Sequence, residues 1–359
     1  MPEEEQVIQS KLKKYFQRKP VIITLVVVLL AAVALTGYLI TQSSGDSANK
    51  NTANSGQSDQ TLVRRLIDGV LDHPNNENLH PVAVMIENLS SIRPQGGLDQ
   101  ASIVYEALVE GGITRFMAVF AMTDQIENIG PVRSARPYYV DWANELGAMY
   151  VHVGGSPQAL GDIRSKDVFD FDQFYNQQYF WRKDLPRARE HNLFTASKFL
   201  IFALRDKEAP QEGSFTPWKF KDEAPLSERP SGIDPIVINY SSQSYQVVYQ
   251  YDRENNVYLR FQADDPHVIL DKTNVQISPK NVVVQYVKTS LADASRLAME
   301  TVGSGQAIIF LDGQAIEATW EKDSTSKRTI FSDSAGKEIV FNAGQTWVQV
   351  VPTDREVTY

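Results

Sequence analysis

Residues 21–41 read VIITLVVVLLAAVALTGYLIT, and no charged side chain stands between Lys19 and Asp46. At about 1.5 Å of rise per residue such a run makes a helix of about 30 Å, the thickness of a bilayer's hydrocarbon core. One spanning helix at the front would divide the chain into a short segment on one side of a membrane and everything else on the other. Lys11, Lys13, Lys14, Arg18 and Lys19 precede the run, whereas a single lysine lies between it and Val63. The positive-inside rule therefore places residues 1–20 in the cytoplasm and the chain after Thr41 outside. A cleaved signal peptide is the competing reading, but the apolar core exceeds the usual roughly 7–15 residues and no clear A-x-A site follows it. The expected localisation is the cell membrane, single-pass, with the N-terminus cytoplasmic and the C-terminal domains extracytoplasmic.

The 359 residues include no cysteine. Disulfides, thiolate metal sites, cysteine nucleophiles and a lipid-modified cysteine anchor are thereby excluded. The net charge is -9, and the first twenty residues carry five basic and three acidic side chains, so the rest of the chain stands at -11. A nucleic-acid binder needs a basic footprint that this chain lacks. With 42% hydrophobic and 22% charged residues, the bulk is globular rather than disordered or polytopic.

Residues 42–60, QSSGDSANKNTANSGQSDQ, cannot bury enough apolar surface to offset ordering entropy and read as a flexible linker. Folded chain is expected from 61. In residues 61–210, strand-length apolar runs at 82–86, 103–109, 113–121 and 149–153 alternate with helical segments at 138–146, 158–164 and 196–205, the last with Thr195 as N-cap. This is an α/β or α+β pattern. Residues 211–232 lie in a proline-rich break and read as an interdomain linker; 233–359 is expected to be a β-rich domain, a curved sheet or partial barrel. Asp312-Gly313 gives its strongest hairpin signal, with further turns at 254–256 and 333–336.

HPVAVMIEN, IRPQGGL, VYEALVEGGITRFMAVF, GPVRSARPYYVD, YVHVGGSPQA and HNLFTASK, followed by NVVVQYV, VGSGQAIIF and GQTWVQVVP, occur in this order from about His80 to Pro352. This string of motifs resembles the YerB-like bacterial envelope proteins, a family without an assigned function. The resemblance implies a two-part extracytoplasmic protein, with the polar motifs in the N-terminal part. The chain departs from the lipoprotein members in having no cysteine to lipidate, so a transmembrane anchor takes that place. The family supplies no reaction.

Polar constellations supply the site candidates. If Gly111-Gly112 form a two-residue turn, Leu108 faces Arg115 and the side chains of Glu106, Glu110 and Arg115 share one face. A carboxyl there can serve as general acid if burial raises its pKa, with the arginine positioning an anion. The same spacing fits one face of a helix, and a structural ion-pair cluster is the plain alternative. In GPVRSARPYY, Arg133, Ser134 and Arg136 precede a proline suited to a first helical turn, and guanidinium groups with helix amides suit a carboxylate or phosphate. The alternative is that these arginines pair with surface acids or bond the loop's own carbonyls. In YVHVGGSPQA, Ser156 is placed to cap a helix at a strand's carboxyl end, and His152 is either a functional side chain there or a satisfied core histidine. Glu87, Asn88 and Arg93, with His191, Asn192 and Arg182, can complete a polar cleft.

No H-E-x-x-H motif occurs, and His73 and His80 make a poor zinc pair, so no metal and no cofactor are expected. Gly303-Ser304-Gly305 reads as a turn before a strand, and Trp320 and Trp347 as core residues rather than sugar platforms. The expectation is an accessory or binding factor of the cell envelope that recognises an anionic wall component. Its partners would be the membrane through the N-terminal helix, and peptidoglycan or envelope-assembly proteins. The alternative is a wall-glycan-cleaving enzyme with Glu106 or Glu110 as general acid.

Overall fold

The computed structural model describes residues 61–359 other than Asp124. The expected cytoplasmic segment, membrane helix and linker lie outside the described residues; among those described, no helix is long and apolar enough to cross a membrane. In chain order the strands that build the body are β1 (Val82–Glu87), β2 (Ile103–Leu108), β3 (Thr114–Phe120), β4 (Met149–His152), β5 (Asp170–Asp172), β6 (Ile236–Asn239), β7 (Gln246–Asp252), β8 (Val257–Gln262), β9 (Asp265–Pro266), β10 (Asn281–Val287), β11 (Gly303–Leu311), β12 (Gln314–Lys322), β13 (Ile330–Asp333), β14 (Thr346–Pro352) and β15 (Val357–Thr358). The helices are α1 (Pro137–Asn144), α2 (Pro157–Ser165) and α3 (Ser197–Asp206).

Ten strands form one sheet in the order β13-β12-β11-β10-β14-β2-β3-β1-β4-β5, and five more form a second in the order β9-β8-β7-β6-β15. β14 runs parallel to β2, with Thr346 to Val350 paired to Ile103 to Ala107, so N- and C-terminal segments share the large sheet. β1, β2, β4, β5, β10 and β14 all point the same way, and their carboxyl ends lie along one edge. The near-continuous apolar sequences of β1, β10 and β14 follow from having both faces covered. On one face Tyr139 and Trp142 of α1 and Ile163 of α2 pack on Met85, Tyr105, Met117 and Val348. On the other, Leu200 of α3 packs with Val84, Val104, Phe116 and Trp347, while Ile238 and Tyr249 of the small sheet pack on Val282, Val284 and Val351.

The β2–β3 connection differs from the expected turn. Leu108 pairs with Thr114 and Ala107 with Arg115, because Glu110-Gly111-Gly112 form a three-residue loop closed by the Val109 amide donating to the Ile113 carbonyl at 2.7 Å. One extra loop residue shifts the register by one and sends a side chain to the opposite face. Glu106 therefore points to the small-sheet face and Arg115 to the α1 face, and the expected three-residue constellation does not form.

Other local expectations fare differently. Asp312 and Gly313, with φ of 53° and 75°, join β11 to β12 with Leu311 paired to Gln314, the two-residue hairpin the dipeptide signalled. Gly303–Gly305 are already part of β11. Thr195 does not cap α3: its hydroxyl donates to the Tyr179 carbonyl, and Ala196 holds the cap position. The 211–232 segment is tied into the body, with Trp218 buried and its indole donating to the Thr329 carbonyl at 2.9 Å.

Candidate functional site

The carboxyl edge of the large sheet opens between β1 and β4, which pair only as far as Val84 and Val151. Beyond that point the 131–136 segment wedges in. The Glu87 amide donates to the Pro131 carbonyl at 2.9 Å and the Arg133 amide to the Met85 carbonyl at 3.0 Å. On the other side the Val153 and Ala135 amides meet the carbonyls of Arg133 and Gly154 at 3.2 and 3.0 Å. Pro137 then starts α1, whose Tyr138 hydroxyl donates to the Leu108 carbonyl at 2.6 Å. Diverging strands at their carboxyl ends are where open α/β sheets place ligands.

Three arginines meet at this wedge. Arg136 makes a two-pronged pair with Glu110, from Nε at 2.6 Å and Nη2 at 2.8 Å, and its Nη1 donates to the Ala135 carbonyl. Arg133 Nε lies 3.2 Å from Glu87, whose second oxygen accepts from His191 Nδ1 at 2.7 Å. Arg115, only 7% exposed, donates from Nη1 to the Ser134 carbonyl at 2.8 Å, and among the described residues no carboxylate lies within ion-pair distance of it. Burial lowers its pKa, and the like charges of Arg136 and Arg133 lower it further, but a guanidinium stays protonated. The Tyr150 hydroxyl is fully buried, with the Arg136 amide as its nearest backbone donor and with no side-chain partner among the described residues. Burial raises its pKa far beyond the physiological range, so it keeps its proton.

Of the expected site residues, the structure brings together Glu87, Glu110, Arg115, Arg133, Arg136 and His191, with Ser134 contributing its carbonyl. It separates the others. Asn88 and Glu106 lie on the opposite face in a buried network: Asn88 Nδ2 and the Glu106 carboxylate meet at the Thr114 hydroxyl, and Arg260 Nη2 donates to Glu106 at 2.7 Å. Glu106 has no exposed side-chain surface and so cannot reach a substrate in solvent. Arg93 donates to Asn88 and to the Ser244 carbonyl and lies over the Tyr245 ring, its pKa brought down to about 10 by burial and by Arg260. His152 spends one ring nitrogen on Asp170 and the other on the Gly154 carbonyl, both at 2.8 Å, and so pins the turn after β4. Ser156 caps α2, accepting from the Ala159 amide at 3.2 Å. Asn192 fastens its loop by donating to the Leu185 and Arg187 carbonyls, and Arg182 bonds the Arg189 carbonyl.

Sequence reasoning missed Arg260, His267 and Tyr150. Arg260 occupies an inward position of β8, between inward Tyr258 and Gln262, and an arginine in phase with a strand's buried face was its available signal. Trp320 and Trp347 are buried, as expected of core residues. Among the described residues no group of three His, Cys, Asp or Glu side chains is arranged to hold a metal ion. Cavities of about 600 Å³, beside Tyr286 and Tyr359, and about 400 Å³, beside Gly111 and Leu297, are lined by none of these three arginines.

The N-terminal domain described as "Protein of unknown function (DUF3048)" matches residues 69–210, and the corresponding C-terminal domain matches 236–348. The chain belongs to the DUF3048 family. A DUF3048 relative from Bacillus subtilis (strain 168), named "Putative lipoprotein YerB", is 32% identical over 288 residues, covering 76% of this chain and 81% of the relative. The crystal structure of YerB from Bacillus subtilis superposes with a TM-score of 0.72 at 27% identity, covering 83% of this chain and 100% of the other. The arginine wedge belongs to the N-terminal DUF3048 domain, and Arg260 and His267 come from the C-terminal one.

Proposed function

We propose that this protein is a membrane-anchored, extracytoplasmic factor of the cell envelope that binds an anionic wall component at Arg115. The setting is supported by the name lipoprotein carried by its relative and by the apolar run at 21–41, which supplies an anchor in a chain with no cysteine to lipidate. The observation that carries the binding reading is Arg115 itself. A nearly buried guanidinium with one carbonyl partner and no carboxylate within ion-pair distance keeps N–H donors free to meet an incoming anion.

The enzymatic alternative is weaker on two counts. Glu106 is sealed in the interior. Burial raises the pKa of Glu110, but the hydrogen bonds and charge of Arg136 outweigh that and leave it below the usual carboxylate range, the reverse of what a general acid needs. The test is to incubate the purified full-length protein and its Arg115→Gln and Glu110→Gln variants with purified wall material. Retention that weakens in Arg115→Gln, without release of soluble fragments, supports binding. Fragment release abolished in Glu110→Gln overturns it.

A further inference from the structure

Two aromatic side chains stand in solvent beside the wedge. Phe174 and Tyr175, just after β5, are 60% and 84% exposed. Their backbone is fixed: Asp172 Oδ1 accepts from the Gly154 and Phe174 amides at 3.0 and 3.1 Å, and Asn176 Nδ2 donates to the Asp172 carbonyl at 2.8 Å. The Phe174 ring lies on Gly154, where a Cβ would come within 2.9 Å of its Cε2 and where φ is +56°. Any other residue there would be strained. The Gly154 carbonyl in turn accepts from Ala135, the residue after Ser134, whose own carbonyl holds Arg115. The ring and the guanidinium thus meet the same pair of paired backbone segments, one at Gly154 and the other at Ser134.

We infer that Phe174, with Tyr175 beside it, is a stacking platform for a sugar ring whose attached carboxylate or phosphate is held at Arg115, so that the ligand class is an acidic glycan. This rests on the anion-binding reading above. An aromatic face matches the apolar C–H face of a pyranose, and the Arg115 guanidinium matches the anion. Two rings are far less than the roughly 800 Å² per side that a stable protein partner covers. A platform held by backbone hydrogen bonds and by a glycine contact is already ordered, so stacking on it costs little further entropy.

Calorimetry on the full-length protein tests this, with N-acetylglucosamine 1-phosphate and soluble peptidoglycan fragments as acidic sugars. N-acetylglucosamine, inorganic phosphate and acetate serve as the separate halves. Wild type is expected to bind at least one acidic sugar about tenfold more tightly than phosphate or acetate alone, the better of the two identifying phosphate or carboxylate as the anion. Phe174→Ala, a change at an exposed site, should remove that advantage and leave phosphate binding unchanged. Acidic-sugar affinity unaltered in Phe174→Ala, or no advantage of the acidic sugars in wild type, overturns the platform while the anion site stands. Phosphate affinity unaltered in a folded Arg115→Gln variant overturns the anion site itself.

Discussion

Glu106 and Arg260 form an ion pair of 2.7 Å in which neither side chain has any exposed surface. One comes from each DUF3048 domain. Arg260 also lies over the Trp347 ring, 4.6 Å from its centroid, and contacts His267. Burial pushes the His267 pKa well below the usual histidine range and the Arg260 and Arg93 charges push it further, so the ring stays neutral and Glu106 alone answers Arg260. Removing one partner of such a pair leaves a buried charge unpaired, so Glu106→Gln should cost about 3–5 kcal/mol. Urea denaturation measures it. The double variant Glu106→Gln, Arg260→Met should lose less than the sum of the single losses; a single-variant loss below about 1 kcal/mol would show that the pair does not join the domains.

A second buried carboxylate predicts a pH dependence. Glu145 accepts from Lys322, Arg328, the Tyr105 hydroxyl and the Thr329 hydroxyl and amide. Burial raises its pKa, but Lys322 and Arg328 dominate and hold it at about 2, below the ordinary 4.5. A depressed carboxylate pKa gives stability that is fully present above the unfolded value and is lost as pH falls through the folded one. Wild type should therefore lose stability between about pH 4.5 and pH 2 more steeply than Glu145→Gln, while being more stable at pH 7. Parallel stability curves for the two proteins across that window would contradict the assignment.

Ser156 separates a structural from a binding role at the carboxyl edge. Its hydroxyl caps α2, so Ser156→Ala should destabilise the protein by about 1 kcal/mol. Phosphate affinity should not change. A variant of full stability that binds phosphate more weakly would assign the hydroxyl to the ligand instead.

Glu110 competes with an incoming anion for the arginines. In Glu110→Gln, Arg136 loses its charged partner and Arg115 a nearby negative charge. Affinity for inorganic phosphate should rise about fivefold at low salt, the scale of a partly buried ion pair, and the gain should shrink as salt is added. Calorimetric titration at two ionic strengths measures both effects. Weaker binding in Glu110→Gln would mean that the carboxylate itself touches the ligand.

How much of this was legible in the sequence varies with how local the cause is. The Asp312-Gly313 hairpin was readable because the turn needs positive φ at two adjacent residues and that dipeptide supplies it. The Ser156 cap and Pro137 start were readable for a similar reason, since each acts within one helical turn. The Glu106–Arg115 relation was not readable. A loop of two or three residues fits the same Glu-Gly-Gly letters, and only the closed sheet, with Val109 bonded to Ile113, selects three and so splits the pair between faces.

By itself the sequence determined an unbroken apolar run ahead of an acidic body, a chain without thiol chemistry, the positions of the tightest turns, and the arginines of GPVRSARPYY. These depend on side-chain chemistry or on neighbours a few residues away. Tertiary structure alone decided that β14 pairs with β2 and unites the two domains in one sheet, that Arg260 crosses to Glu106, and that Arg115 is buried without an acid. Each of these depends on which residues distant in the chain are forced together when backbone groups at a sheet edge must find partners, and a guanidinium's role follows from which carboxylates that packing leaves within reach.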